Sequence, residues 1–153
     1  MNISVLDASN YFKGLLLLVR KDRKVSEPEI EIMRHVGKRL GFEKEFCDNA
    51  INEILDNTYI LDTPPRFATP ELAVKFVRDG FALAFADNVL DPAEEHWLKA
   101  TIAANQLGEE ILTHEREKAA ARHILPERLE VDDLTVETLT SPAPAAPVRE
   151  QPS

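Results

Sequence analysis

Residues 85–97 read FADNVLDPAEEHW, and residues 18–32 read LVRKDRKVSEPEIEI. Laid over each other at a constant offset of 65 residues (87 minus 22), the two stretches share one pattern. An apolar helix runs into a short turn that opens on Asp. An apolar residue follows, then a helix N-cap, then an amphipathic helix. Asp22 falls on Asp87, Val25 on Leu90, Ser26 on Asp91, Glu29 on Glu94 and Met33 on Leu98. Upstream, Tyr11 falls on Phe76, Leu16 on Phe81 and Leu18 on Leu83. Self-similarity at a fixed period points to a fold built from repeated units. Leu40-Gly41 and Leu107-Gly108 close the copies, which gives the second copy two extra residues.

Worked outward from this joint, apolar spacing is helical nearly everywhere. Tyr11, Leu15, Leu18 and Val19 define a first helix from about Ala8 to Lys21, and Leu16 and Leu17 widen its apolar face, which marks it as central. Ser26 with Glu29 forms a capping box for a second helix carrying Ile30, Met33, Val36 and Leu40, ended by Gly41. A third helix, about Glu43 to Asp56, turns Phe46, Ala50, Ile51, Ile54 and Leu55 inward. Pro64 and Pro65 forbid a helix across the next connection. Thr69-Pro70 opens a fourth helix and Asp91-Pro92 a fifth, with Glu94 in the capping position and Gly108 at its end. A sixth covers about Glu109 to Ala121. The expected fold is all-α: a compact helical bundle of two pseudo-repeats of helix-turn-helix units (about 8–42 and 73–108) within a domain of residues 1–123. Residues 124–153, acidic and then Pro/Ala-rich, are expected to form a flexible tail whose last part, TSPAPAAPVREQPS, is disordered; for Ile124 to Leu139 a loose attachment is the simpler reading, and packing on the domain or a short interaction motif stays open.

Charge and composition narrow the function. The 153 residues carry a formal net charge of −9, which repels nucleic acid phosphates and anionic lipid over roughly 8–10 Å. Nucleic acid is therefore not an expected partner; the acidic balance suits a divalent cation, a basic protein partner, or nothing beyond solubility. Cys47 is the only cysteine, so no intramolecular disulfide forms and a cysteine-built zinc site is excluded. The apolar run Leu15–Val19 is too short to span a bilayer, and the first residues lack the basic start of a signal peptide. A cytoplasmic location is the expectation. His35, His96, His114 and His123 show no HExxH spacing, and no nucleophile with its base is legible, so no catalysis is expected.

The acidic joints are the candidate site. Asp91, Glu94, Glu95, Glu27 and Glu29 are mostly explained by capping and by the positive end of a helix. Asp22 and Asp87 lie at the end of the preceding helix, where a carboxylate opposes the dipole. Two readings stay open for them: a side chain organising the turn, or part of an oxygen-rich cation site with Glu29 or Glu94. An EF-hand loop is ruled out. From Asp22, positions 3, 5 and 6 read Lys24, Ser26 and Glu27; from Asp87 they read Val89, Asp91 and Pro92, with Leu98 at position 12.

The doubled unit, KDRKVSEPEIEIMRHVGKRLGF and ADNVLDPAEEHWLKATIAANQLG, resembles the tellurite-resistance TerB-like family over about residues 8–115. The resemblance implies an all-α fold of seven or eight helices and a cluster of acidic residues proposed to bind a divalent cation. At matching positions these are Asp22 and Glu29 in the first copy and Asp87 and Glu94 in the second. Asp91 and Glu95 are further candidates from this sequence alone. The resemblance also implies a role in tellurite resistance and chemical-stress responses, and related domains occur beside J-domains in co-chaperones. The alternative reading is a metal-independent protein-interaction or co-chaperone-like module, since a helical bundle presents grooves for a partner helix and an acidic surface favours basic partners. The chain departs from the family where Gly would follow each Asp, with Arg23 and Asn88 instead. Asn tolerates a left-handed backbone, whereas Arg23 sets a cation beside Asp22, so the second joint is the better cation candidate.

Overall fold

A computed structural model describes residues 1–21, 27–56, 63–85, 91–121 and 129–137. Among them are six α-helices: α1 (Val5–Arg20), α2 (Glu27–Arg39), α3 (Lys44–Asp56), α4 (Pro70–Ala84), α5 (Pro92–Ala104) and α6 (Glu110–Ala121). A 3-10 turn, η1 (Glu130–Asp133), follows, and a minimal parallel pair joins β1 (Asn2–Ile3) to β2 (Thr135–Val136). The all-α bundle expected from the sequence is the observed fold. The helix starts follow from side-chain caps that satisfy otherwise free backbone N–H groups. Ser4 accepts from the Asp7 N–H and so starts α1 three residues earlier than its apolar pattern indicates. Thr69 accepts from the Leu72 N–H at the head of α4, with Pro70 at the first helical position.

The repeat is deeper than the helix-turn-helix unit. Each half is a three-helix set, α1-α2-α3 and α4-α5-α6, in which every pair of helices packs together, and the halves meet through α1 on α4. Burial matches at the offset of 65: Tyr11 with Phe76, Leu16 with Phe81, Leu18 with Leu83, Glu29 with Glu94, Ile32 with Trp97 and Met33 with Leu98 are all buried. The helix ends match too. Gly41 (φ +86°) and Gln106 (φ 58°) take the left-handed conformation at equivalent places. The Gly41 and Phe42 N–H groups reach back to the Lys38 and Gly37 carbonyls; those of Gln106 and Leu107 reach the Ala103 and Ile102 carbonyls. Both ends are thus Schellman closures. The two-residue excess and the Gly108 terminus expected for the second copy are corrected. Leu-Gly pairs suggested a register that the backbone does not use, because Gln106 accepts the strained position normally given to Gly.

The core is centred on α1, whose Leu15, Leu16, Leu18 and Val19 are all buried. Each such side chain contributes about 1.5–3 kcal/mol by leaving water. Gly14 lets α1 and α4 approach: a Cβ there would lie 2.7 Å from Phe76 Cζ. Tyr11 meets Phe76 edge-on at 5.3 Å, and Phe76 in turn packs on Trp97 at 6.1 Å. On α3 the inward face is Cys47, Ile51 and Ile54, whereas Phe46, expected inside, is 49% exposed. Ile51 and Ile54 thus face inward as expected; at the start of α3 Cys47 takes the inward place because it fits against Gly37 of α2 where a larger ring would not, and the side chain of Leu55, also expected inside, lies outside the described residues.

Of the readings open for Ile124 to Leu139, residues 129–137 take the packed one: they form a strap across the domain. Leu129, Val131 and Leu134 enter the core, and η1 packs on α4 and α2. The strap closes on the N-terminus, with the Thr135 and Glu137 N–H groups donating to the Met1 and Ile3 carbonyls at 2.8 and 2.7 Å. Its acidic residues meet the few basic ones facing them. Asp132 pairs with His35 (2.7 Å) and Arg39 (3.4 Å), and Glu130 with Lys75 (3.4 Å) and Arg78 (3.5 Å). What reads as the composition of a solvated segment is charge complementarity plus three apolar anchors.

Candidate functional site

At the second joint, Asp91 caps α5. Its side chain accepts from the Ala93 N–H (2.7 Å), and Glu94 Oε1 accepts from the Asp91 N–H (3.3 Å), completing the capping box. Glu94 is fully buried at 0% exposure, and its counterpart Glu29, in the first turn of α2, is buried at 1%. Two carboxylates at equivalent places are thus held inside the fold, while the neighbouring Glu95 is taken up by Arg116 of α6 at 3.0 Å. Asp91 is half-buried and occupied with its helix. Asp22 and Asp87, together with Ser26, lie outside the described residues. Among the described residues no three His, Cys, Asp or Glu side chains converge as a metal-holding group. The donors at the joints, including Asp22 and Asp87 as read from the sequence, are carboxylate oxygens, a set suited to hard cations such as Ca²⁺, Mg²⁺ or Mn²⁺.

Sequence reasoning missed Asp79. It lies 2% exposed on α4 and accepts three hydrogen bonds: from Tyr11 Oη (2.7 Å), from the Glu130 N–H (2.7 Å) and from the Val131 N–H (2.9 Å). It therefore pins α1, α4 and the strap at one point. Burial pushes its pKa up to about 7, against the opposing pull of the three donors, and the nearby Glu130 charge adds to the rise. Burial, followed by the charge of Asp79, likewise holds the Tyr11 phenol well above its ordinary value. A signal was present in the sequence. Asp79 follows Leu72 by seven residues and Phe76 by three, which places a carboxylate in the apolar stripe of α4.

A third feature is an apolar groove of about 410 Å³ between α1 and α3. Phe12, Leu16 and Leu17 line it from α1, Phe46 from α3, and Phe42 from the turn between α2 and α3. Lys13 and Glu53 supply one charge of each sign. Cys47 lies beneath this region, buried, and its thiol pKa is raised first by burial and then by Asp48. That keeps it a packing residue in place of a thiolate. Among the described residues no helix is long and apolar enough to cross a membrane. Compared with known proteins, the chain matches no family model, no curated protein and no solved structure.

Proposed function

We propose that this chain is a non-enzymatic helical module of the TerB-like type, serving in stress response, whose two acidic joints hold a divalent cation. The observation that carries the reading is the matched burial of Glu29 and Glu94. The matched positions put one carboxylate inside the fold in each half, the oxygen-donor type that hard cations take. In this reading the companions are Asp22 and Asp87, each seven residues before its Glu in the sequence. Two like charges ~4 Å apart repel by about 4 kcal/mol at an effective dielectric of 20, so a cation shared between them stabilises the fold.

The test is thermal unfolding of the full chain with Ca²⁺, Mg²⁺ or Mn²⁺ against chelator. At millimolar ion and a Kd near 10 μM, the mass-action gain is about 2.7 kcal/mol, several degrees for a domain of this size. Asp87→Asn should abolish the gain, and Zn²⁺ should act less well than Ca²⁺. An unchanged midpoint with all three ions would remove the cation from the proposal. The second reading, a metal-independent protein-interaction or co-chaperone-like module, is favoured by the α1–α3 groove with its half-exposed Phe46.

A further inference from the structure

Three aromatic rings stand together at the α1–α3 groove. Phe12 and Phe42 lie 5.5 Å apart, Phe42 and Phe46 5.2 Å, and Phe12 and Phe46 6.4 Å. Phe46 is 49% exposed and Phe42 half-buried, so these two rings form the open aromatic face, backed by Phe12, which is buried. We propose that this groove is the docking site of the chain's own C-terminal segment, residues 141–149, with Pro144 and Pro147 against the rings and Arg149 paired with Glu53.

The chemistry of the segment fits the groove. Residues 141–150 read SPAPAAPVRE. Pro144 and Pro147 are three residues apart, one turn of a polyproline II helix, so both present to the same side. Such segments dock in aromatic-lined grooves because they lose little conformational entropy on binding. Charge agrees as well. Arg149 is the only basic residue among residues 138–153, and Glu53 is the only acidic one lining the groove among the described residues. Glu150 follows Arg149 as Lys13 complements Glu53, one charge of each sign on either side.

The place where the strap ends also fits. The Glu137 N–H is bonded to the Ile3 carbonyl at 2.7 Å, one residue before the Ser4 cap of α1. The α1 residues lining the groove run from Ser9 to Leu17, about 8–20 Å from that cap at ~1.5 Å per residue. Pro144 and Pro147 follow Glu137 by seven and ten residues, a reach of about 22 and 31 Å at ~3.1 Å per residue. That reach exceeds the length of the groove measured along α1. A short tether holds it at roughly millimolar effective concentration, so even a weak polyproline contact fills the site. An outside partner for the groove then has to displace the segment, which makes it an internal competitor. None of this depends on a cation at the joints.

The test uses the full chain with a spin label on Ser153→Cys; Cys47, 2% exposed, is shielded from the label, and Cys47→Ser removes it as a control. Paramagnetic relaxation is read at the backbone amides. The expected result is a several-fold rise in relaxation confined to amides of residues 12–17 and 42–50. Pro144→Ala with Pro147→Ala removes it, and so does Phe46→Ala, a substitution the exposed position tolerates. Arg149→Glu weakens it, and adding Glu53→Arg restores it. No enhancement at the groove, or one spread evenly over the surface, overturns the proposal. Enhancement that appears only when labelled and isotope-enriched chains are mixed also overturns it, by assigning the groove to a second copy.

Discussion

Asp79 places a carboxylate where its helix expects a hydrocarbon, and its partners decide what that does. Three donors meet it from α1 and η1, with Lys75, Arg78, Glu115, Glu130 and Asp132 as the charged groups of that region. Its pKa of about 7 stands against 3.8 for a free Asp, so the folded protein takes up a proton between those values. The stabilising contribution is therefore complete below pH 4 and is lost as pH rises through 7, the reverse of an ordinary ion-paired carboxylate. About three units bound the effect at roughly 4 kcal/mol. Urea unfolding of the wild type and Asp79→Asn from pH 4.5 to 7.5 should show the variant gaining on the wild type by about 2–4 kcal/mol as pH rises. Parallel profiles would mean that the three hydrogen bonds outweigh burial and that Asp79 is ionised throughout. The anomaly was visible in the sequence as an Asp in an apolar stripe. Its partners were not, because two of them are backbone groups 51 and 52 residues away.

At the scale of elements, the sequence placed every helix because caps and apolar spacing are local properties. It erred where a local rule yields to packing. Gln106 carries a left-handed φ of 58° at the place where Gly41 sits in the first copy. An L-residue there costs about 1–2 kcal/mol relative to Gly. Gln106→Gly is expected to raise the urea midpoint by the equivalent of about 1 kcal/mol at unchanged m-value, and Gly41→Gln to lower it by a similar amount. Gln106 is exposed, so no packing is lost to confuse the result. A neutral or destabilising Gln106→Gly would show that the end of α5 is held open by something other than its closure. The strap was only partly legible for a different reason. Leu129, Val131 and Leu134 are three apolar anchors among acids, too few to show a period, and the acids between them find His35, Arg39, Lys75 and Arg78 on other elements. The joint glutamates were legible as a pair from the repeat. Their depth was not, since a capping position does not itself say whether the helix end is covered.

At the scale of the molecule, two similar halves raise the question of whether they fold separately. Three connections argue against it. The α1–α4 contact through Gly14 places Phe76 of the second half against Tyr11 of the first. Asp79 of the second half accepts from Tyr11 of the first. The strap, last in the chain, closes on β1 at its beginning while lying on both α2 and α4. A half without its partner would expose the most buried face of α1 or α4 and leave Asp79 or Tyr11 without its buried bond, a loss of about 1–3 kcal/mol for that group alone. The chain supplies one reporter in each half. Trp97, the only tryptophan, is 4% exposed in α5, and Cys47, the only cysteine, is 2% exposed in α3. Unfolding in urea followed by Trp97 fluorescence and by the reactivity of the Cys47 thiol should give coincident midpoints and slopes, the mark of a two-state transition. A Cys47 transition at lower urea than that of Trp97 would mean that the first half opens alone. The strap and Asp79 would then be fastening a repeat that is already independent.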